Sequence, residues 1–246
     1  MDIYRVLHFG AAIGIGVSGA VHVGIAAVGK CNVPANPYVV PNELIAAEIG
    51  RYLRLPIPPF CVIVGPTGEN HFASLDFNLT GGSLPPVIPA TFYNEFEGDV
   101  GSLLAFDAYI ANSDRHNGNL SADYSSHRFN VFDHSHCLFS GTDPQGLARL
   151  SAADGSLVID GSLGGTRHCL LGEIRDDRLF ERVLERIESI PDWLISDIVS
   201  EAAIYGLTGA EAMASVDFLK QRRRALRGLI GTHRAVFTGI ANWSLI

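Results

Sequence analysis

Between two apolar segments the chain reads Ile110-Ala-Asn-Ser-Asp-Arg-His-Asn-Gly-Asn119, and the predicted fold follows from this polar segment and its two neighbours. The preceding run, Val100–Ala111, has the apolar composition of a buried helix. Phe129–Phe132 follows as a short strand candidate and ends at Asp133. A helix, a polar loop and a strand that ends in an acid predict that side chains of the loop meet this acid.

Asp114, Asn119 and Asp133 have the spacing that phosphoryl transfer requires. Transfer from ATP needs an aspartate that orients the attacking hydroxyl and accepts its proton, and it needs oxygen ligands for Mg²⁺ on the nucleotide. At five positions apart, Asp114 can face the acceptor while Asn119 turns back to a metal ion. We therefore expect a catalytic centre of these three residues, with Asn119 and Asp133 as Mg²⁺ ligands. The alternative is an ordinary turn, since Asp, Asn and Gly are common turn formers.

A glycine-rich segment and a lysine in the first third of the chain fit a nucleotide site. The segment Gly14-x-Gly16-x-x-Gly19 could cradle phosphates through backbone amides, although close strand packing explains it equally well. Lys30 is one of only two lysines and ends a strand-like run. It could reach the α and β phosphates and be held by Glu43 of the following helix. The alternative is a surface lysine beside a surface glutamate.

The periodicity of the first half predicts mainly strands around one helix. We expect a hairpin of buried strands up to Cys31, and a helix capped by Asn42 that stops at Pro56. Two further strands are predicted at Phe60–Val64 and His71–Phe77. A boundary is expected in the Gly, Pro and Ser-rich segment that follows, so residues 1–90 would form a β-rich lobe and residues 91–246 a mainly helical one. The predicted fold class is α+β with two lobes.

The second half is predicted to be helical from Asp177 onward. Thr208 with Glu211 has the capping-box signature of a helix start. Before these helices, Ser156–Asp160 is a strand candidate. The basic run Arg222–Arg224 is interpreted as the solvated face of a helix.

Composition and charge narrow the function classes. A net charge of −8 and a pI near 5.5 argue against direct contact with nucleic acid, which requires clustered Lys and Arg. The most apolar stretch, Phe9–Val28, contains His22 and five glycines, so we expect no membrane span or signal segment. The four cysteines are far apart and predict reduced thiols in a cytoplasmic protein rather than disulfides or a zinc site.

Histidines near the acids leave a second kind of site open. His116, His134 and His136 could belong to a metal-hydrolase cluster, but their spacing does not match metal ligands on a helix. Local hydrogen bonds that fix the loop are the favoured role of His116 and His134. Arg115 is expected to pair with a nearby acid or carbonyl rather than with a substrate.

The chain resembles the compact HipA-like kinases of bacteria and, more distantly, the phosphatidylinositol 3/4-kinase-like catalytic core. The resemblance rests on Phe106-Asp107-x-x-Ile110-x-Asn112-x-Asp114-Arg115-His116-x-Gly118-Asn119 together with Phe132-Asp133-His134. Val28-x-Lys30 and the Asn42-Glu43-Leu44 segment support it, and it extends to about Phe139.

This resemblance implies a bilobal protein-kinase-like fold with ATP and Mg²⁺ in the cleft. It implies roles for eight residues: base for Asp114, metal ligands for Asn119 and Asp133, phosphate contact for Lys30, its partner for Glu43, and the phosphate-covering loop for Gly16, Val17 and Ser18. It also makes Ser18 a candidate autophosphorylation site.

The function predicted from the sequence is an ATP-dependent phosphotransferase, a HipA-like serine/threonine protein kinase of the bacterial cytoplasm. A protein substrate is expected, together with a possible antitoxin or regulatory partner. One alternative is a nucleotide-binding pseudokinase or partner-docking module, and another is a lipid or small-molecule kinase. The acidic charge lowers the lipid alternative, since membrane surfaces attract basic patches.

Overall fold

The computed structural model describes residues 4–14, 19–79, 84–139 and 146–244. The first part holds five strands and one helix: β1 (Val6–Ala12), β2 (Val21–Ile25), β3 (Ala27–Cys31), α1 (Val39–Tyr52), β4 (Phe60–Val64) and β5 (Asn70–Leu75). The second part holds α2 (Pro89–Tyr109), β6 (Leu120–Asp123), β7 (Arg128–Val131), α3 (Gly146–Ala153), α4 (Glu181–Glu188), α5 (Asp192–Ala203) and α6 (Gly209–Thr232). The predicted α+β class, with a β-rich first part around one helix and a mainly helical second part, is confirmed. The predicted division at residues 90/91 falls in the first turn of α2 and remains a prediction.

Within the described ranges, the strands form three small antiparallel sheets. The largest has the order β3-β5-β4, with Lys30 of β3 opposite Phe72 of β5. Strands β1 and β2 pair as a separate hairpin, and β6 and β7 form another. The strand predicted at Phe60–Val64 is confirmed, whereas the strand predicted at His71–Phe77 begins and ends earlier, as β5.

The first hairpin differs from the expectation of buried strands. Every residue of β1 is exposed, as are four of the five in β2, and the apolar side chain of Phe9 is 71% exposed. Within the described residues no second layer covers either face of this hairpin. The sequence therefore predicted strand structure in this region but not its exposure, because burial depends on a packing partner.

Helix α1 lies in the core, with eleven of its fourteen residues buried. It packs against the β3-β5-β4 sheet on one side and against α5 on the other, which is why it is apolar almost all round. Asn42 was predicted to cap this helix, but the cap position is Tyr38 and Asn42 lies inside the helix. The Asn42 side chain instead donates to the Ser135 carbonyl at 2.8 Å.

Both ends of α1 are tied to the helical part of the chain. The Tyr38 hydroxyl donates to Glu211 Oε1 at 2.6 Å, and this glutamate also closes the predicted capping box of α6. Asn32, in the segment that precedes α1, donates from its Nδ2 atom to the Tyr205 carbonyl at 2.7 Å. At the other end, the carbonyl of Leu53 accepts a hydrogen bond from the Arg186 side chain at 3.0 Å.

Helix α2 is the central helix of the core. Its last ten residues, from Val100 to Tyr109, include eight that are no more than 1% exposed, so the predicted helix at 100–111 is present but starts earlier, at Pro89. Helices α4 and α6 pack against it and against each other, and α5 packs against α6 and α1. The residues that follow α2 lie against the segment after β7: the Ser113 amide donates to the His136 carbonyl at 3.3 Å, and the Leu138 amide donates to the Ile110 carbonyl at 2.9 Å.

Two expectations for the second half are wrong, namely the strand at Ser156–Asp160 and the solvated position of Arg222 in the basic run. The predicted strand Ser156–Asp160 is a series of turns, with Val158 at a φ of +67°. The reason lies in Arg222, which is 2% exposed rather than solvated. Its guanidinium donates to the carbonyls of Ala108, Ala153 and Ser156 at 2.6–2.8 Å, so the carbonyl that begins the predicted strand bonds to a side chain instead of to a neighbouring strand.

All four cysteines are free thiols. Among the described helices, none combines the length and the hydropathy needed to cross a bilayer.

Candidate functional site

A short hairpin brings the loop after α2 to the acid after β7. In the antiparallel β6–β7 pair, Leu120 lies opposite Val131. The residues just outside the pair, Asn119 and Phe132, therefore lie side by side, and the Phe132 amide donates to the Asn119 carbonyl at 3.4 Å. Asp133 is the next residue. One hairpin thus brings Asn119 close to Asp133, although fourteen positions separate them in the sequence.

Lys30 joins this acid to helix α1. The Lys30 Nζ atom lies 2.7 Å from Glu43 Oε1 and 2.7 Å from Asp133 Oδ1. Lys30 stands near the end of the central sheet's edge strand β3, and Glu43 lies in the buried second turn of α1. The structure therefore brings together three residues that the sequence predicted for a nucleotide site.

The charges in this cluster stabilise one another. Burial lowers the pKa of Lys30, but Glu43 and Asp133 outweigh it and raise that pKa above its ordinary value. Burial likewise raises the pKa of Asp133, but the Lys30 ammonium and the hydrogen bonds from Lys30 and Ser135 bring it down to about 2. The pKa of Glu43 is also lowered, because hydrogen bonding to His134 and the charge of Lys30 outweigh complete burial. All three groups are therefore charged at neutral pH.

Backbone geometry aims the Asp133 carboxylate at the cluster. Asp133 has a φ of +61°, a left-handed conformation that aspartate tolerates better than most residues. The next two residues hold the turn: the His134 amide donates to Glu43 Oε2 at 3.1 Å, and the Ser135 hydroxyl donates to Asp133 Oδ1 at 2.8 Å. Glu43 thus uses one oxygen for Lys30 and the other for the chain that carries Asp133.

Arg115 lies beneath the loop as its buried anchor. Its guanidinium makes two hydrogen bonds to the carboxylate of Asp107, at 2.8 and 3.1 Å, and both side chains have no exposed surface. It also donates to the carbonyl of Asn119 at 2.8 Å and to that of Phe132 at 2.5 Å. The expected pairing of Arg115 with an acid and carbonyls is confirmed, and one side chain ties α2, the loop and the hairpin together.

His168 completes the surroundings of Asp107. Its Nε2 lies 3.0 Å from Asp107 Oδ2, while its Nδ1 accepts from the Leu170 amide, which is the pattern of a neutral imidazole. Complete burial lowers the pKa of His168 despite this contact with the carboxylate. Burial also opposes ionisation of Asp107, but the Arg115 charge and the His168 hydrogen bond hold the pKa of Asp107 well below its usual range.

The carboxylate of Asp114 lies at the surface of the loop, half-buried. Its main-chain carbonyl accepts from Asn119 Nδ2 at 2.8 Å, so the two residues of the predicted pair are in direct contact. Its Oδ1 accepts a hydrogen bond from the hydroxyl of Thr166 at 2.8 Å. Asp114 therefore already has a hydroxyl group at hydrogen-bonding distance.

A pocket of about 40 Å³ lies at the Lys30 cluster. It is lined by Lys30, Glu43, Ile57, Pro58, Phe72, Ser74, Val131, Phe132, Asp133 and His134. This volume suits a few water molecules, so a nucleotide would require the cleft to open. Gly16, Val17 and Ser18, predicted for the phosphate-covering loop, lie outside the described residues.

The histidines of the loop make local contacts. His116 Nδ1 accepts from the Gly118 amide at 3.0 Å, and the His136 carbonyl accepts from the Ser113 hydroxyl at 3.1 Å. Across the described ranges, no three side chains of His, Cys, Asp or Glu come together as a metal site. The arrangement gives no support to the metal-hydrolase alternative.

Sequence reasoning missed two residues of this region, Thr166 and His168. Both reach the site from a segment about fifty positions downstream of the loop. The only local signal was the run Gly161–Gly165, which marks a turn but not its destination.

No protein-family model matches the chain, and no curated protein matches it in sequence. Among solved structures, the chain is similar to the Helicobacter pylori proinflammatory kinase CtkA, with a TM-score of 0.48 and 13% identity over 96% of each chain. It is also similar to HipA of Shewanella oneidensis MR-1, solved with HipB and operator DNA. That match has a TM-score of 0.46 and 14% identity, and it covers 88% of this chain and 62% of the other.

Proposed function

We propose that this chain is an ATP-dependent phosphotransferase of the HipA-like type that acts on serine or threonine hydroxyls of protein. The observation that supports it best is the position of Lys30 Nζ, which lies 2.7 Å from both Glu43 and Asp133. Asp133 follows the β6–β7 hairpin, which begins next to Asn119. A fixed lysine, an acid beside it and a neighbouring Asp-Asn loop are the parts that transfer from a nucleotide requires.

Each side chain has a role that its surroundings support. Lys30 would contact the phosphates of ATP, and Glu43, whose side chain is 2% exposed, would hold it there. Asp114 would orient the acceptor hydroxyl and take its proton, since its carboxylate reaches the surface of the loop. Arg115 would act as a positioning residue, because it holds the carbonyls on both sides of the site without reaching the surface.

Asn119 and Asp133 fit the ligand preferences of Mg²⁺. Asp133 Oδ2 and Asn119 Oδ1 make no hydrogen bond within the part of the chain that the structure describes. Hard divalent cations prefer such carboxylate and amide oxygens. Bound there, Mg²⁺ would neutralise charge that develops on the transferred phosphoryl group.

Opening of the cleft is part of this proposal. With Lys30 and Asp133 in direct contact, the pocket is too small for a nucleotide. Binding would therefore exchange the Lys30–Asp133 ion pair for contacts of both residues with the ligand, while the better buried Lys30–Glu43 pair would remain. The working environment would be the bacterial cytoplasm, with a protein substrate and a possible antitoxin or regulatory partner.

Turnover of ATP and phosphorylation, measured with a generic protein acceptor, test the proposal in wild type, Asp114→Asn and Asp133→Asn. Loss of an oriented base or a metal ligand should lower the rate at least about 10²-fold, or about 2.7 kcal/mol. Asp197→Asn is the matched control, because Asp197 is an exposed aspartate on α5. Equal activity of folded wild type and Asp114→Asn would contradict the proposed roles.

A second measurement separates the alternatives. A thermal shift with ATP and Mg²⁺ but without turnover would favour a nucleotide-binding pseudokinase. Turnover with lipid or small-molecule acceptors and not with protein would identify a kinase of another substrate class.

A further inference from the structure

The segment Gly161–Arg167 delivers a hydroxyl group to the loop acid. Thr166 is exposed, and its Oγ1 donates to Asp114 Oδ1 at 2.8 Å. A general base must lie about 2.6–3.2 Å from the group whose proton it accepts. The Thr166 hydroxyl therefore lies where an acceptor hydroxyl would have to lie.

The approach of this segment is fixed by its backbone. The Thr166 amide donates to the Ser113 carbonyl at 2.7 Å, and the Cys169 amide donates to the Arg115 carbonyl at 3.0 Å. Gly165, at a φ of +88°, lies so close that a Cβ atom there would be 2.3 Å from the Ser113 carbonyl oxygen. Only glycine permits this contact, so the position of the threonine depends on the residue before it.

Anchors on the far side hold the segment as well. The buried His168 contacts Asp107 at 3.0 Å, and the Arg167 side chain donates to the Val236 carbonyl at 3.1 Å. The hydroxyl of Ser162, in the same segment, has a different partner, since it lies 3.0 Å from the Ser156 hydroxyl. Of these two hydroxyl-bearing residues, Thr166 is the one held on the loop acid.

We propose that Thr166 is the residue that this chain phosphorylates on itself, in cis, with Asp114 as the base. The inference rests on the proposed function, which supplies ATP as the phosphoryl donor. The Thr166 Oγ1 atom forms a bond to the γ-phosphorus while the bond between that phosphorus and the β–γ bridging oxygen breaks. The electron pair leaves with ADP, and the hydroxyl proton passes to Asp114 Oδ1.

The experiment is incubation of the full chain with ATP and Mg²⁺, followed by intact mass and phosphosite mapping at several protein concentrations. Phosphothreonine at 166 should appear at a first-order rate that does not change with protein concentration. Thr166→Val should lower phosphate at this position and in the intact mass at least about tenfold, and Thr166→Ser should restore it as phosphoserine. Ser162→Ala is the matched control and should behave like wild type.

Each other outcome overturns a stated part. Phosphate on Ser18 or elsewhere, with none on Thr166, refutes this inference and leaves the proposed function intact. Labelling of Thr166 that accelerates with protein concentration refutes transfer in cis. If Thr166→Val phosphorylates an added protein faster than wild type does, and wild type carries no phosphate on Thr166, then the threonine blocks the acceptor position instead. A folded chain with neither ATP turnover nor phosphate refutes the proposed function itself.

Discussion

The buried ion pair between Asp107 and Arg115 gives the most exacting prediction of stability. Both side chains have no exposed surface, and the guanidinium also serves the carbonyls of Asn119 and Phe132. Arg115→Met keeps much of the volume but leaves the Asp107 carboxylate buried without its cation. Loss of one partner of such a pair costs about 3–5 kcal/mol, and each hydrogen bond lost to the two carbonyls adds roughly 1 kcal/mol. We expect the free energy of unfolding to fall by at least about 3 kcal/mol.

The pH dependence of stability measures the same pair independently. The pKa of Asp107 lies well below its usual range, because the Arg115 charge and the His168 hydrogen bond outweigh burial. A carboxyl group with a lowered folded-state pKa stabilises the fold above its unfolded pKa of about 3.9, and it loses that contribution as the pH falls below this value. The unfolding free energy of wild type should therefore fall more steeply below about pH 4 than that of Arg115→Met.

Urea unfolding followed by circular dichroism, at pH 7 and in steps toward pH 2, is the assay. Arg51→Met is the control, since it removes an exposed pair with Glu48 at 3.3 Å and should cost less than about 1 kcal/mol. The reasoning is refuted if Arg115→Met loses no more stability than Arg51→Met at an unchanged denaturant slope. It is also refuted if the two variants have the same acid dependence.

Three further changes probe other parts of the structure. Glu43→Gln removes the charge that holds Lys30 and should weaken ATP binding about tenfold, measured by calorimetry; unchanged affinity would contradict the role of the pair. Asp133→Asn removes a carboxyl group with a pKa of about 2. The unfolding free energy of this variant, measured by circular dichroism, should therefore decline less than that of wild type as the pH falls from about 4 to 2. Arg222→Met removes three hydrogen bonds to backbone carbonyls and should lower the unfolding free energy by about 3 kcal/mol, whereas the exposed Arg224→Met should have little effect.

Local signals in the sequence predicted much of the fold. The capping box of Thr208 and Glu211 depends on residues three positions apart, and it is present as expected. The strand Phe60–Val64 is bounded by its own apolar run and turn. The contact between Lys30 and Glu43 was also predicted, because the two residues are close in the sequence, one near the end of a strand and the other near the start of the next helix.

Long-range contacts account for what the sequence could not reveal. Arg222 looked like part of a solvated basic run, yet it bonds to a carbonyl 114 positions away. Thr166 reaches Asp114 across 52 positions, and no pattern near either residue indicates the contact. The exposed Phe9 makes the opposite point, since strand periodicity predicts a buried face only where another layer covers it.

The fastening of α1 at both ends bears on how such a protein could be controlled. The Tyr38 hydroxyl is bonded to Glu211, and the Leu53 carbonyl is bonded to Arg186. A tilt of α1 that moved Glu43 away from Lys30 would therefore disturb the packing of the core. A switch that tilts this helix would therefore have to break the hydrogen bonds at both of its ends. On–off control would break fewer contacts at the solvent-exposed ribbon of β1 and β2, which no second layer covers within the described residues.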